Sequence, residues 1–258
     1  MKKKINILWT GGLDSTYRVL ELSQQDVTIQ PYYLASVNPS TQYELNAISE
    51  LLDAIKKRPQ TKCELLNPIV VPSDQIKPNE AISKAWKRLY EKTHLGSQYD
   101  FIARFAAQYN LVLELGIEKD PLESTIQRCL DEKGGAIYSK EDMVMLAHIE
   151  DEDMRLVFQN MRFPLPLFEM TKQDEIAQYK AWHAEEVLSK IWFCYRPVDG
   201  KPCGLCDPCK TYIEVGLESM IPKNRLRLYF LRKNHPVVFN AIRGTKHILK
   251  SIKKIIKN

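Results

Sequence analysis

A pair of glycines, Gly11 and Gly12, sits between an apolar strand pattern and a helical pattern, and it constrains the fold more than any other feature. Ile5, Ile7 and Leu8 read as the end of a buried strand, and Thr16 to Leu22 as the helix that follows. Without a Cβ, both glycines let the backbone amides turn toward an anion at close range. Ser15 and Thr16 open the helix, where unpaired N–H groups and the positive end of the dipole favour negative charge. Asp14 does not belong in a bare phosphate cradle, but it fits one that includes a divalent cation. A Walker loop is excluded, because the chain has neither the longer loop nor its Gly-Lys-Ser/Thr ending. The plain alternative is a Gly-Gly turn joining any strand to any helix.

Six cysteines occur, and Cys194, Cys203, Cys206 and Cys209 fall close together, the last three as two overlapping C-x-x-C steps. Four thiolates so near in sequence can converge tetrahedrally, with every position filled by protein, which makes a structural rather than a catalytic zinc site. Cysteine spacing alone does not separate zinc from an iron–sulfur cluster. Disulfides are disfavoured because Met1-Lys2-Lys3-Lys4 and the short apolar run after it do not read as a signal peptide. Cys63 and Cys129 stand alone and read as small buried apolar residues.

Strand patterns cover Lys4–Trp9, Val27–Ala35, Cys63–Val71 and Leu111–Leu115. They alternate with helical patterns at Thr16–Gln24, Gln42–Lys57, Glu80–Tyr90, Tyr99–Tyr109 and Pro121–Leu130, and residues 141–160 and 171–190 read as further helices. That alternation predicts an α/β fold, a doubly wound parallel sheet with helices on both faces. The organisation expected is an ATP-binding α/β domain over 1–135, a helical region with the cysteine knuckle over 136–221, and an extension over 222–258. Charged residues at 27% and hydrophobic ones at 44% are ordinary for a globular chain, and no run reaches the ~18 apolar residues of a membrane span. A cytoplasmic location is the expectation.

The stretch Thr10-Gly11-Gly12-Leu13-Asp14-Ser15-Thr16 resembles the pyrophosphate loop (Ser/Thr-Gly-Gly-X-Asp-Ser) of the N-type ATP pyrophosphatases, or PP-loop superfamily. Taken with Trp192-Phe193-Cys194-Tyr195, Cys203-Gly204-Leu205-Cys206-Asp207-Pro208-Cys209 and the Phe163-to-Ile176 segment, the chain resembles the 7-cyano-7-deazaguanine synthase family from about residue 4 to 219. The resemblance implies an adenine nucleotide alpha hydrolase-like fold with a helical, zinc-binding C-terminal part. It implies ATP, Mg2+ and Zn2+ as cofactors, and a carboxylate acceptor (7-carboxy-7-deazaguanine) that is adenylated and then attacked by ammonia. Asp14 would help hold magnesium, the loop amides with Ser15 would hold pyrophosphate, and Lys172 would steady phosphate charge. A solvated lysine in a first helical turn is the competing reading of Lys172. A homodimer is compatible with the resemblance.

The middle of the chain departs from that family. Its aromatic-Asp-Tyr-Gly-Gln segment with a histidine is replaced by Ser36 to Glu44, which has none. Its Arg-Asn before the central helix becomes Gly96-Ser97-Gln98-Tyr99, its Glu-Thr-Asp becomes Gly116 to Asp120, and its Tyr-Pro-Asp-Cys-Arg stretch has no counterpart. The adenylating hardware is kept while the acceptor walls are rebuilt. Glu118 and Asp120 either face the site from the carboxyl end of a strand or are ordinary turn residues.

From Pro222 onward there are 11 Lys/Arg and no Asp/Glu, although the whole chain carries only +5. His247 to Lys257 places apolar residues at helical spacing opposite lysines. Such an extension fits an anionic membrane surface, RNA phosphates, or the acidic body of the chain itself. Tyr229, Phe230, Val237, Val238 and Phe239 are expected to pack, ordering Pro222 to about Asn240.

Overall fold

A computed structural model describes residues 2–118, 129, 137–138, 143–145 and 151–241. The chain divides into two compact units, Met1–Trp192 and Phe193–Asn258. The first is α/β. Its strands are β1 (Lys3–Leu8), β2 (Val27–Ala35), β3 (Glu64–Leu65), β4 (Ile69–Pro72), β5 (Leu113–Leu115), β6 (Ile137–Tyr138), β7 (Met143–Met145) and β8 (Met161–Pro164). They form one sheet in the order β3-β2-β1-β5-β8-β7-β6, with β4 also on β2. Pairing is parallel from β3 and β4 through β8, and antiparallel where β7 meets β8 and β6.

Helices α1 (Leu13–Ser23), α2 (Thr41–Lys56), α3 (Glu80–Thr93) and α4 (Gln98–Tyr109) flank this sheet, an arrangement compatible with a doubly wound fold. Each buries one stripe. Ala47, Ile48, Leu51, Ala54 and Ile55 recur along α2 at the i, i+3/i+4 spacing that keeps one face inward. α3 starts where the Asn79 side chain accepts from Ile82 N–H, and it ends on His94 in the left-handed region at φ 57°.

One topological fact places the site. β1 lies between β2 and β5, so the chain winds to one side of β1 through β4 and returns on the other at β5. In open α/β sheets ligands bind outside the carboxyl ends of the strands at such a reversal.

Three sequence expectations are corrected. The stretch Cys63–Val71 is not one strand. β3 and β4 pair with β2 in registers one residue apart, Thr28 opposite Glu64 but Tyr32 opposite Ile69. The break falls at Asn67-Pro68, where proline has no N–H for the ladder and the Asn67 carbonyl accepts from Gln30 Nε2. Residues 141–160 are not one helix either. Met143–Met145 pairs antiparallel with β8, and among the described residues of this span only Glu152–Phe158 is helical, capped by the Asp151 carboxylate on Met154 N–H. The helix expected over 171–190 breaks after Ala181. His183 turns to φ 52°, and Arg58 donates to the Trp182 and His183 carbonyls at 2.7 and 2.9 Å, ending the helix from outside its own sequence. The expected helix Pro121–Leu130 lies outside the described residues except for Cys129, which is buried against Met154.

In the second unit, Val198 and Lys201 form a β-bridge, and the helices Asp207–Glu214 and Lys223–Asn234 follow. Tyr229 and Phe239 are buried, with the Tyr229 hydroxyl donating to Glu214 at 2.9 Å. Phe230, Val237 and Val238 are not packed as expected: Val237 is 80% exposed. The tail helix expected over His247 to Lys257 lies outside the described residues. Among the described residues, no helix is long and apolar enough to cross a membrane.

Candidate functional site

The chain leaves β1 through Trp9, whose N–H still bonds the Tyr32 carbonyl, and turns at Gly11. Gly11 has φ +73°, and a Cβ there would meet Ile48 at 3.2 Å and the Glu44 carbonyl at 3.3 Å, so both conformation and space require glycine. Its carbonyl accepts from Trp192 N–H at 2.8 Å, which pins the turn. Gly12 is the N-cap of α1 and offers no side chain to cap it. The first helical bond runs from Thr16 N–H to the Gly12 carbonyl, leaving the amides of Leu13, Asp14 and Ser15 outside the helical ladder. An uncapped helix start with a dipole behind it is suited to an oxyanion.

The loop side chains divide by role. Thr10 is exposed, and its N–H donates to Ser15 Oγ at 3.3 Å, while the two hydroxyls lie 3.1 Å apart. Ser15 thus closes the turn on itself. Thr16 is wholly buried and accepts from the Trp9 indole N–H at 3.0 Å, and Leu13 is a core residue. Only the backbones of these last two remain for a ligand.

Asp14 meets three groups that the chain brings from far away. Lys172, first residue of the helix Lys172–Ala181, places Nζ 2.9 Å from Asp14 Oδ1 and also bonds Glu118. Thr171 and Asp174 form a capping box that fixes this helix start. Glu118 follows β5 at its carboxyl end, so of the two acidic residues expected there it does face the site; Asp120 lies outside the described residues. Glu175, one turn beyond Lys172, is completely buried, and neither of its carboxylate oxygens has a hydrogen-bond partner. Carboxylate oxygens of Asp14, Glu118 and Glu175 all lie within 4.8 Å of one another. Gly116 permits the approach, since a Cβ there would sit 2.7 Å from the Asp14 carbonyl oxygen.

The electrostatics follow from one ammonium among three carboxylates. Burial alone would raise Asp14, but the Lys172 charge and its hydrogen bonds hold the carboxyl below its usual range. Burial, then the Asp14 charge, push Glu118 up to about 7. The same two causes raise Glu175 well above an ordinary glutamate. Burial works against the Lys172 charge, yet Asp14 and Glu118 more than compensate and keep it protonated. Oxygen donors of this kind suit a hard cation such as Mg2+. Glu175 is the residue that sequence reasoning missed. Its signal was its place three residues after Lys172, which sets both on one helical face.

Around the loop, Tyr43 stacks on Trp192 with ring centroids 4.9 Å apart. The substituted segment Ser36 to Glu44 bonds largely to itself. Asn38 Oδ1 accepts from the Ser40 and Thr41 amides at 2.9 Å each, and the Tyr33 hydroxyl donates to Glu44 at 2.7 Å.

In the second unit the four clustered cysteines converge, and no cysteine of the chain is disulfide-bonded. Their sulfurs lie within 4.8 Å of one another, with Cys203–Cys209 at 3.8 Å and Cys194–Cys206 at 3.9 Å. Tetrahedral thiolates about 2.3 Å from one metal ion would lie roughly 3.8 Å apart, so the cluster could hold a metal such as zinc. Backbone N–H groups of Leu205 and Cys206 point at Cys203 Sγ, and that of Cys203 at Cys194 Sγ, which stabilises thiolate charge. The hydrogen bond with Cys206 pushes the Cys194 thiol up to about 12. Gly204, at φ +73° and against the Arg225 backbone, makes the knuckle turn.

No family model matches the chain, and no curated protein matches it.

Proposed function

We propose that this chain is an ATP-dependent, AMP-forming ligase that activates a carboxylate as an acyl-adenylate for attack by ammonia or an amine. The observation that carries the reading is the meeting of the glycine turn with Asp14, Glu118 and Lys172 at the reversal between β1 and β5. Free amides at the start of α1 suit the pyrophosphate that leaves when the acceptor carboxylate attacks the α-phosphorus. Lys172 is the cation next to the loop, 16% exposed and so within reach of phosphate oxygens. Magnesium, held by Asp14 and its carboxylate neighbours, would neutralise charge on the departing pyrophosphate. Ammonia then displaces AMP from the acyl carbon, and the amide forms. The four cysteines hold zinc in a purely structural role, since no ligand position is left for water.

The acceptor that fits the sequence resemblance is 7-carboxy-7-deazaguanine or a relative. A second reading keeps the chemistry and changes the acceptor to another carboxylate or an RNA base, with the basic tail holding RNA or a membrane. The self-bonded Ser36 to Glu44 segment favours it, because that wall lacks the family's histidine. The test is mass spectrometry after incubation with ATP, magnesium, ammonium and 7-carboxy-7-deazaguanine. Amide or nitrile with AMP supports the first acceptor; ATP binding without product directs the search to the second.

A further inference from the structure

We propose that Asp14, Glu118 and Glu175 seat a divalent cation before any nucleotide arrives, and that Lys172 is the side chain that fills this seat until the cation displaces it. The first observation is Glu175. A carboxylate with no exposed surface and no hydrogen-bond donor on either oxygen is costly to keep, unless something comes to it. It lies within 4.8 Å of the two other carboxylates, so what comes to it is shared with them.

Charge decides the kind of guest. Once ionised and freed of Lys172, three carboxylates face one another, and a divalent cation neutralises more of that charge than the single ammonium it replaces. Donor type narrows it further. All three are carboxylate oxygens, which select Mg2+, Mn2+ or Ca2+ over the ions preferred by nitrogen and sulfur.

Lys172 marks the seat. Its ammonium bonds Asp14 and Glu118, so a cation reaching those oxygens must displace it. It carries one charge where a divalent cation carries two, and it leaves Glu175 without a bond. Lys172 and Glu175 share a helical face three residues apart, so the lysine can swing away while the glutamate stays. Where the freed ammonium goes rests on the nucleotide reading of the loop: it would turn to phosphate. The cation's seat does not depend on that reading.

The experiment uses full-length protein in chelator-treated buffer, with zinc retained, and Mn2+ followed by electron paramagnetic resonance without nucleotide. One tightly held Mn2+ per chain is expected. Glu175→Gln and Glu118→Gln should each weaken it by roughly tenfold or more, as removal of a charged ligand does. Lys172→Met should strengthen it, because the competing charge is gone. If Glu175→Gln does not fold, the Glu118→Gln and Lys172→Met pair carries the same test. No bound Mn2+ without nucleotide, or affinities unchanged across the variants, overturns the proposal. ATP binding measured in parallel separates the two claims. Mn2+ seated without any ATP binding leaves this site standing and removes the nucleotide reading. ATP·Mn2+ binding without Mn2+ alone does the reverse.

Discussion

Lys172 Nζ stands 2.9 Å from Asp14 Oδ1, a contact that joins the first loop of the chain to a helix beginning 158 residues later. The pair lies where β1 and β5 end side by side, so sheet order, not proximity in sequence, brings it together. Lys172→Met is expected to lower AMP formation by about 10²–10³-fold, the usual cost of removing a group that stabilises transition-state charge. Circular dichroism should show the fold retained. An initial rate near that of the wild type would remove Lys172 from the chemistry.

Gly116→Ala should damage the same loop sterically. Its Cβ would lie 2.7 Å from both the Asp14 carbonyl oxygen and Ser15 Cα, atoms of backbone that cannot step aside as a flexible side chain could. We expect a loss of about 1–3 kcal/mol in urea denaturation together with weakened ATP binding. Gly216→Ala is the control, since nothing lies within 4 Å there and only its φ of +87° opposes a side chain. It should cost about 1 kcal/mol and leave ATP binding intact.

Much of this was readable in the residues, and the division has physical causes. The Gly-Gly turn needs local properties alone, so Gly11 to Asp14 could be read directly, and β2 runs over the very residues its pattern indicated. The cysteine knuckle is likewise encoded within a short stretch. What escaped depends on partners far away. Arg58 ends a helix by binding the carbonyls of Trp182 and His183. Met143–Met145 becomes a strand because β8 offers it a ladder. Arg18 and Glu114 form a largely buried ion pair at 2.8 Å between α1 and β5, with no sign of each other in sequence. Glu175 reads as one more glutamate of an exposed first turn until the fold buries it.

Cys206→Ser should abolish stoichiometric zinc, measured by elemental analysis, and lower thermal stability, because binding energy at a structural site is folding energy. Chelation of the wild type should do the same. A metal-free protein with unchanged melting temperature would contradict the structural role.

Glu118 predicts a pH dependence for the cation-free protein. Its folded carboxyl titrates near 7, against an ordinary 4.5, because burial and Asp14 oppose its charge. The folded state therefore holds the proton more tightly. That contribution to stability is fully present below about 4.5 and is lost as pH rises through about 7. Glu118→Gln should flatten the decline in melting temperature between pH 5 and 7.5. A wild type and variant that fall in parallel would rule out Glu118 as its source.

Phosphorus NMR of ATP consumption tests the central claim most directly. Full-length protein with ATP, magnesium, ammonium and a panel of purine and deazapurine carboxylates should release AMP and pyrophosphate in equal amounts, and Asp14→Ala should release neither. ADP with inorganic phosphate would mean that the bond cut is not the one this loop is built to cut. ATP left intact with every acceptor, by a protein that binds no nucleotide, would contradict the account altogether.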